Sequence, residues 1–376
     1  DYTDLKNDED NQRQIRIALP AGDGVLELRY AGKPKRWNFA REHLWDDDIS
    51  DAFVNLTSRT LLPVLEAKNG AIETTLQLTM PEHLVLAASG EIPTVIAEGG
   101  GTKTWQLRDA APSFRLFAAD YAVERFDVDG MCIEFYFARG HREVLDKLGS
   151  MELIGQVLRY CAEKYGPLPF DSENPLRLIQ DTAYAMGGGA SGNMSFMGEL
   201  TFGQSNLADT SLGANGAEVL AHEIVHQWWG LTWMLWDLDD ETGLSEWSSE
   251  GVTCYTTYRL MKALYGEAYA QKYYVDVWQD AVDKMHRSFY FRNPEYLDLL
   301  PEQYAYTIRS GFYATDLYQT MPLKLLKAAE LLGGEDALDA VLATLFQNTG
   351  SPNYPYMTYQ DFLDGCGLTK EDLALD

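Results

Sequence analysis

His222, Glu223, Ile224, Val225 and His226 lie inside the apolar run EVLAHEIVHQWWG. Residues four apart share one face of a helix, so both imidazoles can reach a single zinc ion at about 2.0 Å. Glu223 sits roughly 100° round the same helix, where its carboxylate can take a proton from water that zinc activates. The H-E-x-x-H spacing thus joins a metal site to a general base. The plainer alternative is a core helix on which two of the chain's six histidines fell at this spacing by accident. Two buried imidazoles without partners would be costly there.

A zinc ion that does chemistry needs a third protein ligand and an open fourth position. Glu246 and Glu250 are the candidates, both in LSEWSSEGVTCYTTYRLMKALYG. Val252, Tyr255, Leu260, Met261 and Leu264 predict a second helix there, packed on the first. Being four apart, the two glutamates share a face, and one of them is expected to bind directly. Spacing leaves both open.

HEIVHQWWG followed by SSEGVTCY resembles the gluzincin zinc aminopeptidase family, which includes aminopeptidase N and leukotriene hydrolase. The resemblance implies a Zn2+ cofactor held by His222, His226 and Glu250, with Glu223 as the base. The stretch 227–249 is longer than the family's spacing, with LWDLDDETG as the extra loop, so Glu246 stays open. The family also carries a G-x-M-E-N-x-G strand whose glutamate holds the substrate's free amino group. Gly192-Asn193-Met194-Ser195-Phe196-Met197-Gly198 is similar, with a degenerate motif in which Ser195 takes the glutamate's place, and the resemblance puts Gly192, Met194 and Ser195 at the substrate. A hydroxyl there offers a neutral hydrogen bond where a carboxylate would offer a stronger, charge-assisted one. Glu199 could substitute if the strand geometry is altered, and the preceding Gly187-Gly188-Gly189 points to a close-packed backbone edge. Finally, Tyr318-Gln319-Thr320-Met321 through Glu330-Leu331-Leu332-Gly333-Gly334 resembles the family's segment bearing a tyrosine that donates to the oxyanion, a role the resemblance gives to Tyr318. Pro322 predicts that this helix begins or kinks nearby.

These residues need elements to hold them. ALPAGDGVLELRYAG, AIETTLQLTM, HLVLAASGEI, KTWQLRD and CIEFYFARG alternate with period two between Gly and Pro, which predicts antiparallel strands and a β-rich domain over 1–140. From residue 141 the period changes. EVLDKLGSMELIGQVLRYCAEKYG, the H-E-x-x-H segment, its partner, EAYAQKYYVDVWQDAVDKMHRS, PLKLLKAAELLGG and EDALDAVLATLFQN read as helices. Between them, RSFYFRNPEYLDLLPEQYAYTIRSGFYAT is aromatic and weakly periodic, fitting a cleft wall or a packed connector. The expected fold is α+β, an antiparallel N-terminal domain followed over 141–376 by a thermolysin-like, mainly helical catalytic domain. The helical-repeat domain that many family members add is not expected within these 376 residues.

Composition narrows the partners. A net charge of −27 argues against nucleic acid and against docking on anionic lipid, leaving peptides as the expected substrates. The acidic runs Asp46-Asp47-Asp48 and 237–241 lack EF-hand spacing and read as solvated loops. Cys132, Cys161, Cys254 and Cys366 show no C-x-x-C or paired zinc spacing and are expected as free thiols. No run of eighteen apolar residues spans a membrane. The chain begins with Asp1, consistent with a removed targeting or membrane segment. Similar modules stand beside permease-like segments in bacterial proteins, which places this one at the outer side of a membrane, with the cytoplasm as the alternative. The residues thus point to a zinc metallopeptidase, aminopeptidase-like. The rival from another class is a zinc-holding peptide-binding or sensing module without turnover.

Overall fold

The computed structural model describes residues 2–7, 12–17, 25–32, 48–57, 74–109, 115–181, 187–198, 216–230, 234–235, 247–352, 354 and 356–375. Residues 1–33 form one unit and residues 34–376 another. The first holds an antiparallel pair, β1 (Tyr2–Asn7) and β2 (Gln12–Ile17). VLELRYA, expected as strand, has no regular structure over 25–32, and Val25 is fully exposed. Among the described residues no strand pairs with it, and alternation alone does not hold a ladder together.

In the second unit most strands precede residue 141 and the helices follow it. The strands are β3 (Asp48–Ile49), β4 (Phe53–Thr57), β5 (Thr74–Pro81), β6 (Val85–Ala88), β7 (Thr94–Gly99), β8 (Thr102–Asp109), β9 (Arg115–Ala119), β10 (Tyr121–Val128), β11 (Met131–Ala138), β12 (Leu176–Asp181), β13 (Gly188–Ser191) and β14 (Met194–Gly198). They pair as two antiparallel sheets, in the orders β3-β4-β9-β6 and β5-β8-β7, and a mixed sheet in the order β10-β11-β12-β14-β13, beside a two-residue parallel pair of Trp229–Gly230 with Met234–Leu235. The mixed sheet joins strands from before residue 141 to strands after it, with β11 and β12 parallel and β12 and β14 parallel. Local alternation cannot announce such distant pairing. Interior β12 and β14 are buried at every position, as strands covered on both faces must be.

What covers those faces decides where the site sits. On one side Tyr136, Ile179, Met194 and Phe196 pack against Ala87, Phe117 and Ala119 of the four-stranded sheet. On the other, Phe135, Phe137, Leu178 and Met197 pack against helices. The helices are α1 (Arg142–Leu148), α2 (Ser150–Tyr165), α3 (Gly216–Val225), α4 (Val252–Tyr265), α5 (Asp276–Arg287), α6 (Glu302–Thr315), α7 (Met321–Leu331), α8 (Glu335–Gln347) and α9 (Tyr359–Cys366). The helix expected over EVLDKLGSMELIGQVLRYCAEKYG is two, because Gly149 turns left-handed (φ 67°) between α1 and α2. The aromatic segment between Arg287 and Thr315 is itself helical: a short α-helix (Phe289–Arg292), a 3-10 segment (Pro294–Leu299) and α6. All four cysteines are free thiols. Among the described residues, no helix is long and apolar enough to cross a membrane.

Helix α4, which follows the candidate ligand Glu250, is held by a buried ionic cluster. Asp339 of α8, 3 % exposed, accepts from Arg259 Nη2 at 2.8 Å and Nε at 3.1 Å, and from the phenols of Tyr255 at 3.2 Å and Tyr165 at 3.4 Å. One carboxylate thereby ties α4, α8 and α2 together. Asp339→Ala takes one acceptor from the Tyr165 and Tyr255 phenols and from Arg259, whose guanidinium keeps Glu335 and Asp336, so a loss of about 2–3 kcal/mol of stability is expected. Urea denaturation followed by circular dichroism checks this; a loss below about 1 kcal/mol would show the cluster to be dispensable.

Candidate metal centre

The H-E-x-x-H segment forms α3 and its last turn, with the His226 amide still bonded to the His222 carbonyl at 3.1 Å. Leu220, Ala221, Ile224 and Val225 are buried, so the apolar spacing seats the helix in the core and leaves the histidines on another face. Their rings meet edge to face, with centroids 4.7 Å apart.

Glu250 completes the group. Its Oε2 lies 3.2 Å from His222 Nε2 and 3.3 Å from His226 Nε2. Two ligands bound at about 2.0–2.1 Å with a tetrahedral angle between them stand roughly 3.3–3.4 Å apart, so this spacing is that of a zinc site. The second atoms of the rings support the same reading. His226 Nδ1 faces the Trp229 carbonyl at 3.2 Å, with the hydroxyls of Thr253 at 3.3 Å and Ser249 at 3.4 Å nearby. A carbonyl can only accept, so Nδ1 carries the hydrogen and Nε2 keeps its lone pair for a metal. His222 Nδ1 faces the Cys254 thiol at 4.0 Å. The described residues therefore fit a zinc ion. Glu246 lies outside them, as do Glu199 and the acidic run 237–241.

Two local irregularities bring Glu250 into place. Trp247–Gly251 is a π turn that runs into α4, and Asp316–Thr320 is another between α6 and α7, carrying Tyr318. The second has a visible cause: Pro322 offers no N–H, and in α geometry its ring would press on the Tyr318 carbonyl. The kink expected at Pro322 is thus a widened turn just before it. The two π turns touch because Gly251 has no side chain; a Cβ there would lie 2.8 Å from Met321 Cβ. Tyr318 consequently stacks near His222, with ring centroids 6.3 Å apart. Burial and the Glu250 charge hold that phenol well above its usual range, as a hydrogen-bond donor.

The electrostatics are those of a closely coupled set. Burial raises the Glu223 carboxyl above its ordinary range; the two histidines pull it back and Glu250 pushes it up. For His226 burial acts downward, but the Glu250 carboxylate outweighs it and raises the imidazole to about 9. Glu250 itself would rise on burial, yet His226 and His222 hold it far below the carboxylate range. Such a set binds a proton or a cation, and the two compete.

The strand expected at the substrate is arranged differently. Ser195 is fully buried on the helix-facing side of β14, donating to the Glu223 carbonyl at 2.5 Å and accepting from Gln227 Nε2 at 3.1 Å. Met194 is fully buried on the other side. Gly192, at φ 55°, turns the hairpin between β13 and β14. The strand that meets the Glu223 side chain is instead β13: a Cβ on Gly188 would lie 2.5 Å from Glu223 Cγ. A shift from one hairpin strand to the next separates the expectation from the geometry. The signal was present in the glycine run, which reads as a backbone edge, and in Gly192-Asn193, a two-residue turn. Thr253 and Cys254 were also missed, although they stand three and four residues after Glu250 and so on its helix face.

No family model matches the chain, and no curated protein matches it. Among solved structures, the native yeast LTA4 hydrolase aligns over 78 % of this chain and 43 % of its own length, at 16 % identity and a TM-score of 0.50. The same yeast enzyme in complex with bestatin aligns over the same shares at 16 % identity, with a TM-score of 0.49. The chain therefore spans less than half the length of this neighbour. The first likeness shows the fold alone: an antiparallel N-terminal sheet domain followed by a mainly helical domain.

Proposed function

We propose that this chain is a zinc-dependent metallopeptidase, aminopeptidase-like in its site, that hydrolyses peptide bonds. The observation that carries the reading is the convergence of His222, His226 and Glu250 at tetrahedral spacing, with Glu223 beside them. The fold shared with a hydrolase is consistent with it.

Zinc, when bound, supplies a Lewis acid that polarises a carbonyl and brings the pKa of water toward neutrality. The chain's residues do the rest. His222, His226 and Glu250 hold the ion, and the Trp229 carbonyl keeps His226 in the tautomer that can. Glu223 takes a proton from the attacking water and passes it to the departing amine. Tyr318 donates its phenolic hydrogen to the oxygen on which negative charge develops. Ser195 and Gln227 tie β14 to α3, fixing the helix that carries both histidines and the base. Peptides are the partners in this reading, and the sequence resemblance supports a position at the outer side of a membrane.

Metal analysis combined with mass-spectrometric mapping of a peptide mixture tests the proposal. About one zinc per chain is expected, with cleavage abolished by a chelator and restored by zinc. Hydrolysis unaffected by chelation would overturn it. Zinc and peptide bound without turnover would make the chain the sensing module instead.

A further inference from the structure

We propose that Glu218 is a specificity-determining residue of the centre, its carboxylate holding the cationic side chain of a substrate lysine or arginine beside the bond that is cut. The inference rests on the metallopeptidase reading above and names the substrate class of that site.

Helix geometry supplies the first step. Glu218 stands in the first turn of α3, one step of four before His222 and two before His226. Each step of four advances a helix by about 40°, so the three share one face. Glu223 lies about 100° beyond His222 on the opposite flank. His222 therefore has a carboxylate on either side, the base on one and Glu218 on the other. A first-turn glutamate commonly serves only the helix dipole from solvent. Here burial raises the Glu218 carboxyl to about 7, against the pull of the His222 charge.

The second step is what surrounds that carboxylate. Tyr274, in a π turn over Gln271–Val275, is 2 % exposed, and its hydroxyl has no hydrogen-bond partner among the described residues. After burial, the Glu218 charge is the largest cause that holds this phenol above its usual range. The same charge reaches the Cys254 thiol, which faces His222 Nδ1 at 4.0 Å. Glu218, Tyr274 and Cys254 thus gather on one flank of His222 from three different elements. Glu218, His222, Cys254 and Tyr318 are half-buried rather than enclosed, as the walls of a recess beside the metal centre are.

The third step is what such a recess fits. A carboxylate and a phenol taken out of water both cost free energy until a partner meets them. An ammonium or guanidinium donates to the carboxylate and to the phenolic oxygen together, and keeps the carboxylate ionised. The long apolar stems of lysine and arginine carry such a head across the single helical turn between His222 and Glu218 while packing against Cys254 and the Tyr274 ring. A substrate glutamate would meet like charge there. The net charge of −27 also draws cationic peptides toward the chain.

The test uses the zinc-loaded protein and peptides matched except at the two residues flanking the cut bond, where lysine, norleucine and glutamate are compared by mass spectrometry. At one flanking position kcat/KM for lysine should exceed that for norleucine by about 10–10²-fold, the usual effect of a charged hydrogen bond, with glutamate slowest. Glu218→Gln keeps the shape and the zinc content, and should bring lysine and norleucine within about threefold of each other. Damage to the fold would instead lower both rates and leave their ratio. Equal rates for the three peptides in the wild type, or a lysine preference that survives Glu218→Gln, would overturn the proposal and leave the metallopeptidase intact. Should no peptide be cut, the peptidase reading falls, and fluorescence anisotropy with the lysine and norleucine peptides decides the rest. Tighter lysine binding that Glu218→Gln abolishes would support the cation site, and equal binding would overturn it.

Discussion

Glu223→Gln lowers kcat for peptide hydrolysis by about 10²–10⁴-fold, the usual contribution of a positioned general base, with zinc content unchanged. The substitution suits the site because glutamine keeps the shape that fits against Gly188, where there is no room for another side chain. It removes the charge and the proton-accepting capacity together. Burial holds the Glu223 carboxyl above its ordinary range, which makes it a better base than an exposed glutamate. The base must be ionised to act, so the wild-type rate falls as pH drops through the pKa that Glu223 has with zinc bound, where the ion's charge opposes the effect of burial, and the acid limb it creates disappears in the variant. Metal analysis, kcat and a pH profile on one preparation check all three. Full activity in the variant would place proton transfer elsewhere.

The legibility of this chain follows the range of the interactions involved. His222, Glu223 and His226 declare themselves because one helix carries them, and helix geometry is fixed by the backbone. Glu250 was readable as one of two, since residues four apart share a face; the structure brings it to the histidines through a π turn and the bare Cα of Gly251, neither of which leaves a periodic trace. Tyr318 was reached by resemblance, among twenty-two tyrosines, and its π turn has a local cause in Pro322. Ser195 shows the limit. Adjacent residues on a strand face opposite ways, and adjacent strands of a hairpin serve different sides, so a motif placed one strand away exchanges a substrate contact for a buried tie. The mixed sheet was hidden for a related reason. β11 and β12 are separated by two helices in sequence, and buried parallel strands lose the alternation by which antiparallel ones are recognised.

Loss of the third ligand separates the metal from the base. Glu250→Ala is expected to weaken zinc binding by more than about 10²-fold, because removing even an outer partner of a ligand costs 10–100-fold and this carboxylate contacts both imidazoles. Hydrolysis falls with metal content, and high zinc concentrations restore it in part. A second readout comes from protons. In the metal-free wild type the Glu250 charge raises His226 to about 9, so at neutral pH its imidazole is protonated and zinc must displace that proton. Without Glu250 the strongest cause that raises it is gone, and the same imidazole moves downward, toward the neutral form. Zinc binding near pH 7.5 should therefore release about one proton more from the wild type than from the variant, a difference that titration calorimetry in buffers of different ionisation enthalpy resolves. Equal proton release with undiminished zinc affinity would move the third ligand to Glu246, four residues back in the sequence. Lost affinity with an unchanged circular dichroism spectrum would identify Glu250 as the residue that makes two histidines on a helix into a zinc site.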